Sequence, residues 1–531
     1  MTAEQRTSVL VVGGALTGLS SALFLAWQGI DCVAVERHPD LLLHPRLRGI
    51  NPRTLELYRQ IGLEPAIREA CFADPDAFKW SAVRAETLAD ESYGAVEDAE
   101  AGGGLAAASP APFAPIDQDK LEILLRAKAR ALGADIRFST ELVSFSASEA
   151  GVHAVLRDRT TDETYGLTAD YLIAADGTHS SVRERLGIGV DGPGILYHTI
   201  TAMVDADLTP ATRGRAVSIA YLQKPRPFTA LLAHDHEAKR WVIAMGFDPS
   251  RESLGDYTDE RVADIVRAAA GLPEVDVKVR PQIPGTDIKV LGFPIGAQVA
   301  QRFVDDTGRV FLAGDAARIN PPTGGLGGNA AVQGAHNLCW KLAAVLEGHA
   351  GPKLLETYEQ ERRPVAELTM QQAFARFGSR MGPGAEIELL DYDAVAMGYR
   401  YRSSAVLGAP DDARPVPPSA LCAEPGTRAP HVPIGEGRST IDLYGKAFVL
   451  LTGSKGSRAA TAAKAAADEL RMPLETHVLG GADAEARHGI EASGAVLVRP
   501  DGFVAWRIES NAGAAEAELA DRLRRVLGRS G

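Results

Sequence analysis

Residues 8–36 read SVLVVGGALTGLSSALFLAWQGIDCVAVE. Ser8–Val12 is a run of β-branched and aliphatic residues without polar alternation, which predicts a strand buried on both faces. Gly13-Gly14-Ala15-Leu16-Thr17-Gly18 is the turn that follows. Leu19 to Trp27 is apolar and rich in Ala and Leu, and Gly29 ends the helix it predicts. Cys32–Val35 is a second strand, closed by Glu36. Together they predict a βαβ unit with a right-handed crossover. Gly13 permits the tight turn, and Gly18 lets the helix pack close to the strands. The free N–H groups at the helix start, Gly14 among the turn residues before it, suit a pyrophosphate, whose charge the helix dipole favours by about 0.3–1 kcal/mol. Glu36 lies 18 residues after Gly18, where a carboxylate accepts from a ribose. Ala15 stands where the dinucleotide pattern has its middle Gly, and its methyl narrows the approach of the phosphate. The alternative is an α/β turn without a nucleotide, and Glu36 argues against it. On its own the finger serves NAD as well as FAD.

Two further motifs follow strands of the same kind. Tyr171–Ala175 is a buried run that leads into Asp176-Gly177-Thr178-His179-Ser180-Ser181-Val182-Arg183; Asp-Gly alone is an ordinary turn dipeptide. Val310–Ala313 leads into Gly314-Asp315-Ala316-Ala317, which puts a carboxylate at the carboxyl edge of a sheet, where it can bind a ribityl hydroxyl. Pro321 to Asn329 (PPTGGLGGN) then opens a long helix predicted over Asn329–Leu346. Its glycines let backbone N–H groups approach a planar ring closely.

Between these motifs the pattern changes. Residues 195–300 are strand-rich, as at Ser218–Leu222 and Arg240–Met245, and read as a sheet unit inserted in the nucleotide-binding one. Asp119–Leu132 is a helix with Leu121, Leu124, Leu125 and Ala129 on its apolar stripe. Residues 96–115 are low in complexity and read as a mobile surface loop, and 403–436 are rich in Pro, Ala and Gly and read as a linker. Beyond it, buried strands at Ala447–Leu451 and Ala495–Val498 and helices at Ala459–Leu470 and Ala515–Val526 predict a small α/β unit, with Pro500-Asp501-Gly502 as a hairpin turn.

Length and composition narrow the classes. A chain of 531 residues predicts two or three domains. Its net charge of −13 disfavours nucleic acid and anionic membranes as partners. Cys32, Cys71, Cys339 and Cys422 form no CxxC pair or metal knuckle, so no metal is expected, and a reduced cytoplasm is the expected compartment. Thr7–Ile30 is uncharged after Arg6, but a signal peptide has no reason to continue into a glycine finger and a second strand.

In order and spacing the three motifs resemble the class A flavoprotein monooxygenases, the para-hydroxybenzoate hydroxylase family. The closer likeness is to hydroxylases of aromatic polyketides, such as the aklavinone hydroxylases, and to rifampicin monooxygenase. It covers nearly the whole chain and includes Pro45-Arg46, Asn51-Pro52-Arg53-Thr54, Gln118-Asp119-Lys120-Leu121-Glu122 and a tail like a thioredoxin fold. The resemblance implies an α/β architecture: a Rossmann-like FAD-binding domain (1–75, 100–190 and 300–400), an inserted β-sheet substrate domain (76–99 and 191–299), a linker (401–436) and a thioredoxin-like domain (437–531). It implies FAD contacts from Thr17, Glu36, Arg46, Gln118, Asp315, Gly327, Gly328 and Asn329, and contacts to FAD and NADPH together from Asp176 and Gly177. No second dinucleotide finger is present, so NADPH is expected to meet the flavin transiently. Without a CxxC the tail is expected to be redox-inactive, and to pack or mediate contacts in a monomer or homodimer. Two departures stand out: Arg318-Ile319-Asn320 where the family usually has His, and Gly334 where Asp is common.

The implied chemistry is oxygen transfer from a flavin C4a-hydroperoxide to an electron-rich aromatic ring, with NADPH and molecular oxygen consumed. Tyr221, read as sharing a strand face with Val217 and Ile219, and Arg376, on a helix after Arg363-Pro364, are the candidate catalytic residues. An arginine there would favour a substrate phenolate; the competing readings are a core aromatic and a solvated surface charge. The competing functions are C–C bond oxidation, antibiotic inactivation, and a non-catalytic flavoprotein that sequesters a drug or quinone. A flavin halogenase is disfavoured because the WxWxIP signature is absent.

Overall fold

A computed structural model describes residues 5–42, 46–96, 107–235, 239–382, 387–435, 437–510 and 516–529. The aliphatic run before the finger forms the strand Gln5–Val12, central in a seven-stranded sheet. It pairs in parallel with Cys32–Val35 on one side and with Thr164–Ala174 on the other. The last three residues of Thr164–Ala174 also pair in parallel with Val310–Leu312. Three parallel strands thus end side by side, each followed by one of the three sequence motifs. The finger helix, Leu16–Gln28, is apolar nearly all round because it is covered by Gln118–Ala131 and by Leu326–Leu346. Gly29 closes it at φ 92°, a left-handed conformation that glycine adopts without strain.

A nine-stranded sheet contains the long strands Val190–Ala206 and Val290–Ala300 together with Ile219–Leu222, Thr229–Asp235 and Arg240–Phe247. Alternation gives it two apolar faces. One packs Ala220, Leu231 and Ile243 against the helix Asp259–Ala270; the other carries Ile219, Tyr221 and Ala230 towards Trp80 and Met381. Val217 lies before the strand begins and joins the first face, so it does not share the face of Tyr221.

The C-terminal unit has strand order Leu474–Val478, Phe448–Thr452, Ala495–Val498, Val504–Ile508. The first pair is parallel and the others antiparallel, with helices Ser457–Glu469 and Glu516–Val526 packed together. This is a thioredoxin-like arrangement. No helix among the described residues is long and apolar enough to cross a membrane.

Two loop readings change. Of the stretch 96–115, residues 97–106 lie outside the described residues. The remainder is packed: Ala108, Ser109, Ala111 and Ala114 are buried, and Ala114 bridges Ile50. Residues 401–435 are irregular in backbone apart from a short turn of helix at Pro418–Ala420 and the short strand Pro433–Gly435, but they are no free tether. Tyr401, Leu407 and Ala429 are buried, and their backbone bonds Val504–Ile508 and the turn before it through Leu407 to Ala505, Gly426 to Val504 and Ala429 to Gly502.

Candidate active site

The three motifs converge at the carboxyl edge of the seven-stranded sheet. A side chain at Gly13 would place its Cβ 2.2 Å from the Ala175 carbonyl oxygen, and one at Gly18 would lie 1.8 Å from that of Gly13. Both positions are closed to any other residue by backbone. A Cβ on Gly314 would lie 2.3 Å from Thr17 Oγ1, so the finger and the Gly-Asp turn are in contact. Arg183 of the Asp176 segment donates to the Ala316 carbonyl at 3.0 Å, and Asp176 accepts from the Val182 N–H at 3.2 Å. Gly177 takes φ 83° in that turn.

Around the finger, Glu36 accepts the Gly14 N–H at 2.7 Å and the His38 N–H at 2.9 Å. The finger helix begins at Leu16 with Ala15 at its N-cap, whose side chain cannot cap it. The Gly14 N–H is taken by Glu36 and the Leu16 N–H by Glu122, which corrects the expectation that Gly14 is free for a pyrophosphate; the Thr17 and Gly18 N–H groups are the ones that face a ligand. Arg46, Gln118 and Glu122 gather beside that helix start. Gln118 Nε2 donates to Glu122 at 2.6 Å, Arg46 lies 3.4 Å from the same oxygen, and the Gln118 carbonyl oxygen accepts the Leu47 N–H at 3.3 Å. Burial raises the Glu122 pKa, opposed by Arg46 and Gln118.

Asp315 is reached by solvent yet surrounded by protein. This burial raises its carboxyl above the ordinary value, with Arg318 and Arg46 opposing. It therefore lines a deep cleft. Arg318, pushed down to about 10 by burial, donates to Asn320 and to the Gly327 carbonyl. The departure from His in this segment thus supplies a brace for the glycine loop. Gly324 and Gly325 take φ 84° and 61°, and the helix Leu326–Leu346 begins without a side-chain cap. Asn329 is committed on both sides: its oxygen accepts the Asn51 N–H at 2.9 Å, and its nitrogen donates to the Gly325 carbonyl at 2.9 Å. Gly327 and Gly328 sit between, half-buried, on the loop that Arg318 supports.

Two uncapped helix starts, a cleft carboxylate and an exposed arginine fit a dinucleotide with a planar ring: phosphates at the first helix, ribose and ribityl hydroxyls on the carboxylates, the ring at the second helix.

Arg376 is fully buried on the helix Lys353–Met381, which excludes the surface-charge reading. Its guanidinium bonds Gln372 Oε1 at 2.9 Å and the Leu390 carbonyl at 2.7 Å, and its Cδ would lie 3.2 Å from a Cβ on Gly324. The arginine at Tyr221 is instead Arg380, which donates to the Tyr221 hydroxyl at 3.2 Å. Arg376, the candidate read from the sequence, lies one turn away on the same helix, and the four-residue spacing puts the two arginines on one face. Beside this pair, Tyr197, Phe228 and Phe377 stack with centroids 5.0–5.8 Å apart and interplanar angles of 8–21°. Burial pushes the Tyr197 phenol well up, so it stays neutral.

Residues 6–373 match the FAD binding domain family and residues 423–530 the aromatic-ring hydroxylase C-terminal family. The chain therefore belongs to the FAD binding domain family, with the C-terminal region of the aromatic-ring hydroxylases. It is 43% identical to a putative polyketide hydroxylase of Streptomyces halstedii, covering 98% of this chain and 96% of that one. It is 40% identical to the tetracenomycin A2 monooxygenase-dioxygenase of Streptomyces glaucescens, covering 99% and 98%. It superposes on aklavinone-11 hydroxylase, solved as a ternary complex with FAD and aklavinone, with a TM-score of 0.89, 39% identity and full coverage of both chains.

Proposed function

We propose that this FAD-dependent monooxygenase uses NADPH to hydroxylate a polycyclic aromatic polyketide. The observation that carries the substrate class is the platform of Tyr197, Phe228 and Phe377 beside the Tyr221–Arg380 pair. Near-parallel rings suit an extended planar ligand, which stacks face to face or offset upon them. Arg380 is one helical turn, about 6 Å, beyond Arg376, which packs under the Gly324 loop. The polar end of the platform is therefore close to the proposed ring position.

In this reading the finger N–H groups, Thr17, Arg46 and Gln118 hold the pyrophosphate. Glu36 takes the adenosine ribose and Asp315 a ribityl hydroxyl. The start of the helix at Gly327, Gly328 and Asn329 faces the flavin ring. Asp176 and Gly177 stand where FAD and NADPH meet. Reduced FAD supplies the activation of oxygen. The chain's own residues supply position and dryness. Because Tyr221 accepts from Arg380, its hydroxyl proton is free to go to a substrate oxygen. The guanidinium charge favours a phenolate, which raises the electron density of the ring. The apolar sheet face excludes water, whose entry would divert turnover to peroxide.

The test is to purify the protein, confirm a flavin spectrum, and follow NADPH oxidation with a panel of anthraquinone-like and larger polyphenols. Mass spectrometry should find one added oxygen in a stimulating compound. Absence of both stimulation and oxygenated product across the panel sinks the hydroxylase reading; added oxygen with a cleaved C–C bond redirects it.

A further inference from the structure

The turn Arg499–Phe503 of the C-terminal unit penetrates the FAD-binding unit, and the charges it carries are buried: Arg499 is 0% and Asp501 2% exposed. Arg499 donates to both oxygens of Glu361, at 2.5 and 2.8 Å, and pairs with Asp501. Asp501 accepts from Asn337 at 3.1 Å and Trp340 at 3.2 Å, two residues on one face of the helix Leu326–Leu346. Lys341 on the same face completes the cluster by donating to Glu361 at 2.7 Å.

Three short paths run from this turn to the first two turns of that helix. Phe503 stacks on Tyr401 at 4.1 Å, the Tyr401 hydroxyl accepts from Arg362 at 2.9 Å, and Arg362 donates to the Ala330 carbonyl at 2.9 Å. The Asp501 carbonyl accepts from Arg53, and two residues away the Asn51 N–H holds Asn329. Phe503 also stacks on Tyr399 at 5.5 Å, whose hydroxyl donates to Gln333 at 3.0 Å. A loop made largely of glycine has few side chains with which to fix itself. Its place must be set from behind, and buried, angularly defined ion pairs do this where apolar packing alone leaves freedom to slide.

We propose that the Arg499–Phe503 turn is a positioning element for the flavin: the C-terminal unit sets where the helix start at Gly325–Asn329 lies, and so governs FAD retention without touching the cofactor. This rests on the FAD assignment above. The test compares Asp501→Asn and Phe503→Leu with a control, Val496→Ala, which removes apolar volume from the C-terminal unit's own core, where Val496 is 0% exposed. Apoprotein of each is checked by circular dichroism and thermal melting, then titrated with FAD by flavin fluorescence. The expected result is a dissociation constant raised roughly tenfold or more in both turn variants, with the control within about twofold of wild type whatever its melting temperature. Phe503→Leu keeps every charge, so it decides the case if Asp501→Asn fails to fold. Unchanged FAD affinity in a folded turn variant, or equal weakening by the control, overturns the proposal. Wild-type protein that takes up no FAD overturns the cofactor assignment instead.

Discussion

Arg376 and Arg380 stand four residues apart on one helix and face different tasks. Arg376 packs beside Gly324 and bonds the Leu390 carbonyl, whereas Arg380 meets Tyr221. Replacing Arg380 by Met should therefore lower kcat/KM by about 100-fold, the worth of one charge-assisted hydrogen bond, while FAD stays bound. Arg376→Met should weaken FAD binding first. Steady-state kinetics and flavin titration on both variants check the division. His336 offers a test of pH. Burial pushes its pKa down to about 3, and neither ring nitrogen finds a hydrogen-bond partner among the described residues. The unfolded chain takes up this proton near pH 6.5 and the folded chain only near 3. Stability from His336 is thus complete above about pH 6.5 and falls as the pH drops, by at most about 1.4 kcal/mol per unit. His336→Leu should leave the melting temperature at pH 7 unchanged or higher and flatten its decline towards pH 4, as thermal melts across that range would show. The alternation that made Tyr221 a candidate was visible in the sequence. Its arginine was not, because which turn of a helix faces a sheet depends on how the two elements dock.

At the scale of elements, the finger is closed by its own backbone. Gly18→Ala would place a methyl 1.8 Å from the Gly13 carbonyl, which cannot move without opening the strand turn. FAD binding should be abolished, with a stability loss of at least about 1–3 kcal/mol, measured by flavin titration and apoprotein unfolding. At Gly328 the obstructing atom is Leu47 Cδ1 at 2.4 Å, the mobile end of a side chain, so Gly328→Ala should cost less. The Ala15 departure predicts the opposite sign. Ala15→Gly relieves the methyl at an N-cap and should tighten FAD by no more than about tenfold; unchanged affinity in the same titration removes that concern. The other departure, Gly334, is filled from another element. A Cβ there would lie 3.4 Å from Arg362 Nε, so the guanidinium takes the space beside this position. Strands and helices in the nucleotide-binding region were legible because apolar runs and glycine stops are local. At 107–115 and 401–435 the small residues read as loop, whereas neighbours from distant parts of the chain bury many of them.

For the whole molecule, the decisive contacts are ionic and buried. Burial would raise the Glu361 carboxyl, but Arg499 and Lys341 hold it well below the carboxylate range. Glu361→Gln leaves two buried cations with one anion, Asp501, between them. Loss of about 3–5 kcal/mol is expected, seen as a lower urea midpoint of the apoprotein. The same network joins the C-terminal unit to the helix that starts at the glycine loop, so the thioredoxin-like unit is part of the enzyme's frame.

By itself the sequence determined the βαβ finger and the order of the three motifs, and through them the resemblance that implies a flavin-dependent hydroxylase. These depend on local chemistry: buried strands, glycines where backbones meet, and carboxylates at strand ends. Only the tertiary structure decided that Arg380 rather than Arg376 meets Tyr221, that Arg318 braces the glycine loop, and that Pro500-Asp501-Gly502 is more than a hairpin turn. Those pairings join residues up to 448 positions apart, as between Arg53 and Asp501, and side chains at such separation meet only after the layers have packed.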